Sequence, residues 1–236
     1  MTEASVGSAL VTPSLSPEFK SAVRRQTSLL APLERVCLNW FARKLPAWIK
    51  PDHLTLIGFS AMLIAGICYG IARWWAPALL IVNLCLAINW FGDSLDGTLA
   101  RVRNKQRPRY GFYVDHIIDA FGILFVLCGL AVSGYMSLAV ALSVLVVYFM
   151  ISIEVYLATY TLGSFKISFY KISPTELRIL LAIGNIRALS HPTARVFGER
   201  YLFFDVGALI AIALMATVLV VSATRNTIAL YRAERV

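Results

Sequence analysis

Six apolar stretches constrain this chain more than anything else in it. They fall at about 54–72, 75–95, 110–133, 136–160, 174–190 and 203–224. Each is close to the roughly 20 residues that a helix needs to cross a bilayer. A spanning segment has to satisfy its backbone polar groups internally, and a helix does so. The expectation is an all-α bundle of six transmembrane helices. The fifth stretch is the shortest and holds Arg178, Asn185 and Arg187. Composition agrees: 58% of residues are hydrophobic and 15% charged, where a soluble domain carries about 25% charge. Mean hydropathy is +0.71. No internal repeat is visible.

The segments outside the apolar stretches divide the chain further. Residues 1–17 are small and polar, with Pro13 and Pro17, and read as a disordered tail without the apolar core of a secretory signal. Residues 18–50 read as an amphipathic juxtamembrane helix. Leu29, Leu30, Leu33, Val36, Cys37, Trp40, Phe41 and Leu45 recur at helical spacing, and Arg24, Arg25, Arg35, Arg43 and Lys44 supply the cations. Residues 51–225 form the six-span domain and 226–236 a cytoplasmic tail. The cysteines Cys37, Cys68, Cys85 and Cys128 make no C-x-x-C pair and read as small buried hydrophobes.

Charge orients the bundle. With both termini inside, the inner segments hold 18 of the 22 Lys and Arg residues, and the outer loops hold only Arg73, Arg187, Arg195 and Arg200. That asymmetry follows the positive-inside rule. The net charge of +9 therefore points to cytoplasmic loops and anionic lipid, and nucleic acid is not an expected partner. Membrane lipids and a second copy of the chain are.

Where the second apolar stretch ends and the third begins stand four aspartates, Asp93, Asp96, Asp115 and Asp119. The first two are three residues apart and the last two four apart, so on helices each pair projects from one face. Two helix ends would then hold four carboxylates around one point. Carboxylate oxygens are the ligands that hard cations such as Mg²⁺ prefer. Arg101 is the residue type that grips phosphate through two parallel bonds. Gly97, Ala100 and Gly111 are small enough to let a ligand approach the backbone. The plainer alternative is helix capping or a solvated face, but carboxylates at membrane helix ends are expensive and tend to be functional.

These residues resemble the signature of the CDP-alcohol phosphotransferase family. The pattern is D-x-x-D-G-x-x-A-R, a spacer, then G-x-x-x-D-x-x-x-D, and all eight fixed positions are matched between Asp93 and Asp119. The resemblance implies a Mg²⁺- or Mn²⁺-dependent enzyme of phospholipid biosynthesis. Such an enzyme cleaves the pyrophosphate of a CDP-alcohol donor, releases CMP and passes the substituted phosphate to a lipid or polar alcohol acceptor. It implies that Asp93, Asp96 and Asp115 are metal ligands and that Asp119 is a ligand, the general base, or both. It places Gly97, Ala100 and Gly111 around the CDP moiety and Arg101 at its phosphates. Pro51-Asp52-His53-Leu54-Thr55 resembles the family's Pro-Asn-x-hydrophobic-Thr, with Asp52 where Asn is common, so Thr55 joins the nucleotide-binding candidates. His116 is a second candidate base, since its ordinary pKa suits proton transfer near neutrality. Asp115-His116 looks like the aminoalcohol branch of the family, whereas Gly97-Thr98-Leu99 departs from the Gly-Lys-Gln usual there. CDP-diacylglycerol and CDP-aminoalcohol donors both remain open.

Glu154, Lys166, Lys171 and Arg178 lie at the same cytoplasmic level and are candidates for the acceptor site; interfacial anchoring is the alternative for the lysines. Asn83 and Asn89 read as interhelical hydrogen bonders. A rival function is a membrane transporter or channel with a carboxylate cation site. The acids cluster at one membrane edge and not at the midplane, where transporter sites lie, which weighs against it.

Overall fold

A computed structural model of the protein describes residues 31–162 and 174–234. Lys166, Lys171 and the 1–17 tail lie outside the described residues, as does the first part of the 18–50 segment. Seven helices occur among the described residues: α1 (Ala31–Lys44), α2 (Pro51–Ile71), α3 (Ala78–Val102), α4 (Pro108–Ser133), α5 (Leu138–Leu162), α6 (Pro174–Ser190) and α7 (Phe203–Ala233). Between α6 and α7 lie two strands, β1 (Thr193–Val196) and β2 (Glu199–Leu202).

Local chemistry explains the boundaries. Pro51 and Pro108 occupy the first turns of α2 and α4, where a missing N–H costs nothing. At the start of α2 the Lys50 N–H donates to His53 Nδ1 at 3.4 Å. Gly134, at φ 81°, stops α4 in the left-handed conformation. Two expectations are corrected. The helix expected over 18–50 ends at Lys44, because Pro46 and the 45–50 connector break it. The last helix does not stop near residue 224: α7 continues to Ala233 through most of the segment read as a tail, which contains no Gly or Pro to end it. The all-α bundle carries one short addition, a hairpin in which β1 and β2 pair antiparallel with Val196 opposite Glu199. Phe197 and Gly198 turn this hairpin with φ of 52° and 92°, the two positive values that a tight hairpin turn needs.

Five helices, α2, α3, α4, α5 and α7, are long and apolar enough to cross a membrane. With 17 residues, α6 extends only about 26 Å, short of the roughly 30 Å hydrocarbon core.

The bundle is built around α2, which packs against α3 on one side and α4 on the other. Glycines permit the approach. A Cβ on Gly66 would lie 2.4 Å from the Phe125 carbonyl oxygen, and one on Gly129 would lie 2.1 Å from that of Gly66. The main core includes Ala65, Tyr69, Leu79, Val82, Val126 and Leu130. α6 joins through a buried polar chain. Tyr69 Oη donates to Asn185 Oδ1 (2.9 Å), Asn185 Nδ2 to Asn83 Oδ1 (2.7 Å) and Asn83 Nδ2 to the Ala182 carbonyl (3.1 Å). Because each of these groups has a partner, the chain sets the register of α6 on α3. α5 and α7 form a pair on the α4 side. Cys68 and Cys85 are buried, but Cys37 and Cys128 are exposed. An apolar residue on a helix that is apolar all round is not thereby placed inside.

Candidate active site

Three helices bring the aspartates together. In α3, Asp96 faces Thr55 of α2 and Asp93 faces Arg178 of α6; in α4, Asp115 and Asp119 share one face. All four line a single cleft, with Thr55 of α2 on its wall. Gly58, Phe59, Asn89 and Ile118 complete the lining one turn deeper in the bundle. The crossing of α2 and α3 makes this possible. A Cβ on Gly92 would meet the Leu54 carbonyl oxygen at 2.6 Å and Gly58 Cα at 3.1 Å, so the two backbones touch next to the carboxylates.

Asp96 and Asp93 are turned to protein partners. Asp96 is buried. Its Oδ2 lies 2.6 Å from Thr55 Oγ1, and its Oδ1 accepts from the Gly97 N–H. Thr55 Oγ1 is also 3.1 Å from the Pro51 carbonyl. A hydroxyl has one proton to give, and the shorter, charge-assisted contact takes it. Asp93 Oδ2 accepts from the Arg178 guanidinium of α6 at 2.8 Å, a contact spanning 85 residues of sequence. Among the described residues no three Asp, Glu, His or Cys side chains are gathered closely enough to hold an ion as they stand. The donor set is nevertheless all oxygen and mostly anionic, and it includes a buried Asn89 carbonyl oxygen without a partner. That chemistry fits a hard divalent cation.

The remaining candidates divide. Gly97 and Gly111 face open space: a Cβ on Gly97 would meet only Arg101 Nη1 at 3.5 Å, and one on Gly111 nothing within 4 Å. With Ala100 and Arg101 they lie just beyond the cleft, toward the α3–α4 connection. Arg101 donates to Thr98 Oγ1 at 3.0 Å. His116 does not line the cleft. Its Nδ1 is held to the Phe112 carbonyl one turn back on the same helix, and its ring stands edge-on to Tyr156 of α5 at 5.1 Å. Glu154 is turned away to α7, where Ser222 Oγ (2.9 Å) and Asn226 Nδ2 (2.6 Å) donate to it. Its expected place at the acceptor site is thus corrected: a carboxylate on an apolar helix takes the nearest donors, and those are on α7.

The sequence profile of the CDP-alcohol phosphatidyltransferase family matches residues 48–231. This chain belongs to that family. The matched span takes in α2 to α6, the hairpin and nearly all of α7, so the phosphatidyltransferase homology covers all three cleft-forming helices. The chain is 31% identical over 104 residues to an archaetidylinositol phosphate synthase of Pyrococcus horikoshii, covering 44% of this chain and 52% of that protein. It is 31% identical over 111 residues to cholinephosphotransferase 1 of Xenopus laevis, covering 43% and 27%. The corresponding protein of Danio rerio is 30% identical over 111 residues, covering 43% and 28%. The chain thus spans about half the length of the first relative and just over a quarter of the other two.

Asn89 makes the interhelical hydrogen bond expected of it, from Nδ2 to the Gly58 carbonyl, but sequence reasoning missed its place in the cleft lining and those of Gly58, Phe59 and Ile118. A signal for Asn89 was present: it precedes Asp93 by four residues and Asp96 by seven, which is one helical face.

Proposed function

We propose that this phosphatidyltransferase-family chain transfers a substituted phosphate from a CDP-alcohol to an acceptor hydroxyl in phospholipid synthesis, with release of CMP and dependence on a divalent cation. The observation that carries the reading is the convergence of Asp93, Asp96, Asp115 and Asp119, from two helices, on one cleft. In the reaction the acceptor oxygen forms a bond to the β-phosphorus, the bond from that phosphorus to CMP breaks, and the acceptor proton leaves.

Asp93, Asp96 and Asp115 would hold Mg²⁺ or Mn²⁺. When bound, the cation polarises the phosphoryl oxygens and offsets charge on departing CMP. Thr55 fixes the carboxylate of Asp96 and so orients it. Asp119 lines the cleft and takes the acceptor proton, whereas His116 is engaged with Phe112. Gly97, Ala100 and Gly111 leave room for the CDP group beside the cleft, and Arg101 meets its phosphates. Arg178, already at Asp93, would bind the acceptor, and Lys166 and Lys171 are proposed for the same role from the sequence alone. Holding both substrates together supplies much of the rate.

The site lies at the cytoplasmic end of a six-helix bundle. Two observations support α6 as the sixth span. Its Arg178 reaches the aspartate end, and its Asn185, two turns on, meets Tyr69 near the other end of α2. On α1, Leu38 and Ala42 pack on the bundle, while Val36, Trp40 and Phe41 stay exposed, as a surface-lying helix would leave them.

The test uses both donor classes. Purified protein is incubated with labelled CDP-diacylglycerol or CDP-aminoalcohols and a panel of acceptors, and CMP release is followed. Release should require Mg²⁺ or Mn²⁺, stop with EDTA, and fall at least about 10²-fold in Asp96→Asn. CMP release that continues in EDTA would refute the cation-dependent reading.

A further inference from the structure

The aspartates do not account for every polar group in the cleft. Asn89 stands one turn deeper than Asp93 on α3, lines the cleft and is only 6% exposed. Its Nδ2 donates to the Gly58 carbonyl of α2 at 3.1 Å. A carbonyl can only accept, so this bond decides which amide atom faces α2 and leaves Oδ1 on the other side. Oδ1 is buried and has no hydrogen-bond partner among the described residues. An orphaned buried acceptor is costly, and a native structure that keeps one has a reason for it.

We propose that Asn89 Oδ1 is a further oxygen ligand for a divalent cation held by the aspartates, an inference that rests on the cation-dependent reading of the cleft. Three oxygen-bearing side chains, Asn89, Asp93 and Asp96, form one stripe along α3 at intervals of four and three residues. An amide oxygen is a hard ligand that adds coordination without adding to the repulsion among four carboxylates. The bond from Nδ2 to Gly58 does for Asn89 what outer hydrogen bonds do for other ligands: it locks the orientation of the donor atom.

The test measures Mn²⁺ binding to the purified full-length chain in detergent, without nucleotide or acceptor. Free Mn²⁺ is read by electron paramagnetic resonance, and the Mn²⁺-induced rise in Tm is recorded in parallel. Asn89→Leu removes the oxygen and should weaken Mn²⁺ binding by about 10-fold or more. Asn89→Asp loses the Gly58 bond but keeps an oxygen and adds charge; it should bind Mn²⁺ more tightly than the parent and gain a larger Tm rise. A purely structural Asn89 would lower Tm in both variants and leave their Mn²⁺ affinities equal to the parent, which would overturn the proposal. If Asn89→Leu does not fold, Asn89→Asp alone decides, and parental or weakened binding overturns it. Asp96→Asn separates the two levels. Parental Mn²⁺ affinity in that variant refutes the cation reading of the cleft itself. Loss there with parental affinity in Asn89→Leu refutes only the role of Asn89.

Discussion

Two glycines on α3, five residues apart, should respond to the same substitution in opposite ways. Gly92 lies at the crossing with α2. A methyl group there would sit 2.6 Å from the Leu54 carbonyl oxygen and 3.0 Å from the Gly58 nitrogen, both backbone atoms that cannot swing aside. To restore ordinary contact α2 would have to withdraw by roughly 0.8 Å, and overpacking of that kind costs about 1–3 kcal/mol. At Gly97 the only atom near such a methyl is the end of the flexible Arg101 side chain, at 3.5 Å. Replacing glycine by alanine inside a helix then gains about 0.5–1 kcal/mol. Gly92→Ala should therefore lower the unfolding temperature in detergent, at about 2–4 °C per kcal/mol for a chain of this length. Gly97→Ala should leave it unchanged or raise it. Gly97→Leu should also fold, yet lose binding of a labelled CDP-alcohol because its bulk fills the space the nucleotide needs. Reasoning from the gap at Gly97 is refuted if Gly97→Ala destabilises as much as Gly92→Ala, or if Gly97→Leu binds the donor with parental affinity.

Three further outcomes are expected. Asp119→Asn should reduce CMP release by about 10²–10⁴-fold while His116→Ala stays near the parental rate; a fall of more than about 10²-fold in His116→Ala, with donor affinity intact, would make His116 the base. Tyr69→Phe leaves the fully buried Asn185 Oδ1 without its donor and should cost about 1–3 kcal/mol in denaturant unfolding; an unchanged midpoint would show that the Tyr69–Asn185–Asn83 chain does not hold α6. In a cysteine-free background, Lys105→Cys should label from the cytoplasmic side and Tyr135→Cys and Glu199→Cys from the opposite side. Labelling of Glu199→Cys with Lys105→Cys would mean that α6 does not cross.

Much of this protein is legible along the chain because the signals are local. The length of each apolar run predicts a helix, and Pro51 and Pro108 mark two starts. The spacing of Asp93 with Asp96, and of Asp115 with Asp119, puts each pair on one helical face whatever surrounds it. The hairpin at 193–202 was not read, because its strands are four residues long and their turn, Phe197-Gly198, is not a strong turn pair.

What tertiary structure alone decided is the rotation of each helix about its own axis. An apolar helix presents almost the same surface all round, so its sequence does not say which stripe meets a neighbour. Gly92 and Gly97 look alike in the sequence, yet one lies against α2 and the other faces open space. Glu154 might be expected to face the acceptor, but it is turned to Ser222 and Asn226. Arg178 meets Asp93 across 85 residues, and Asn89 turns its nitrogen to Gly58 and its oxygen away. Helical periodicity extends only a few residues along a chain, whereas these choices depend on which helices close-pack against one another.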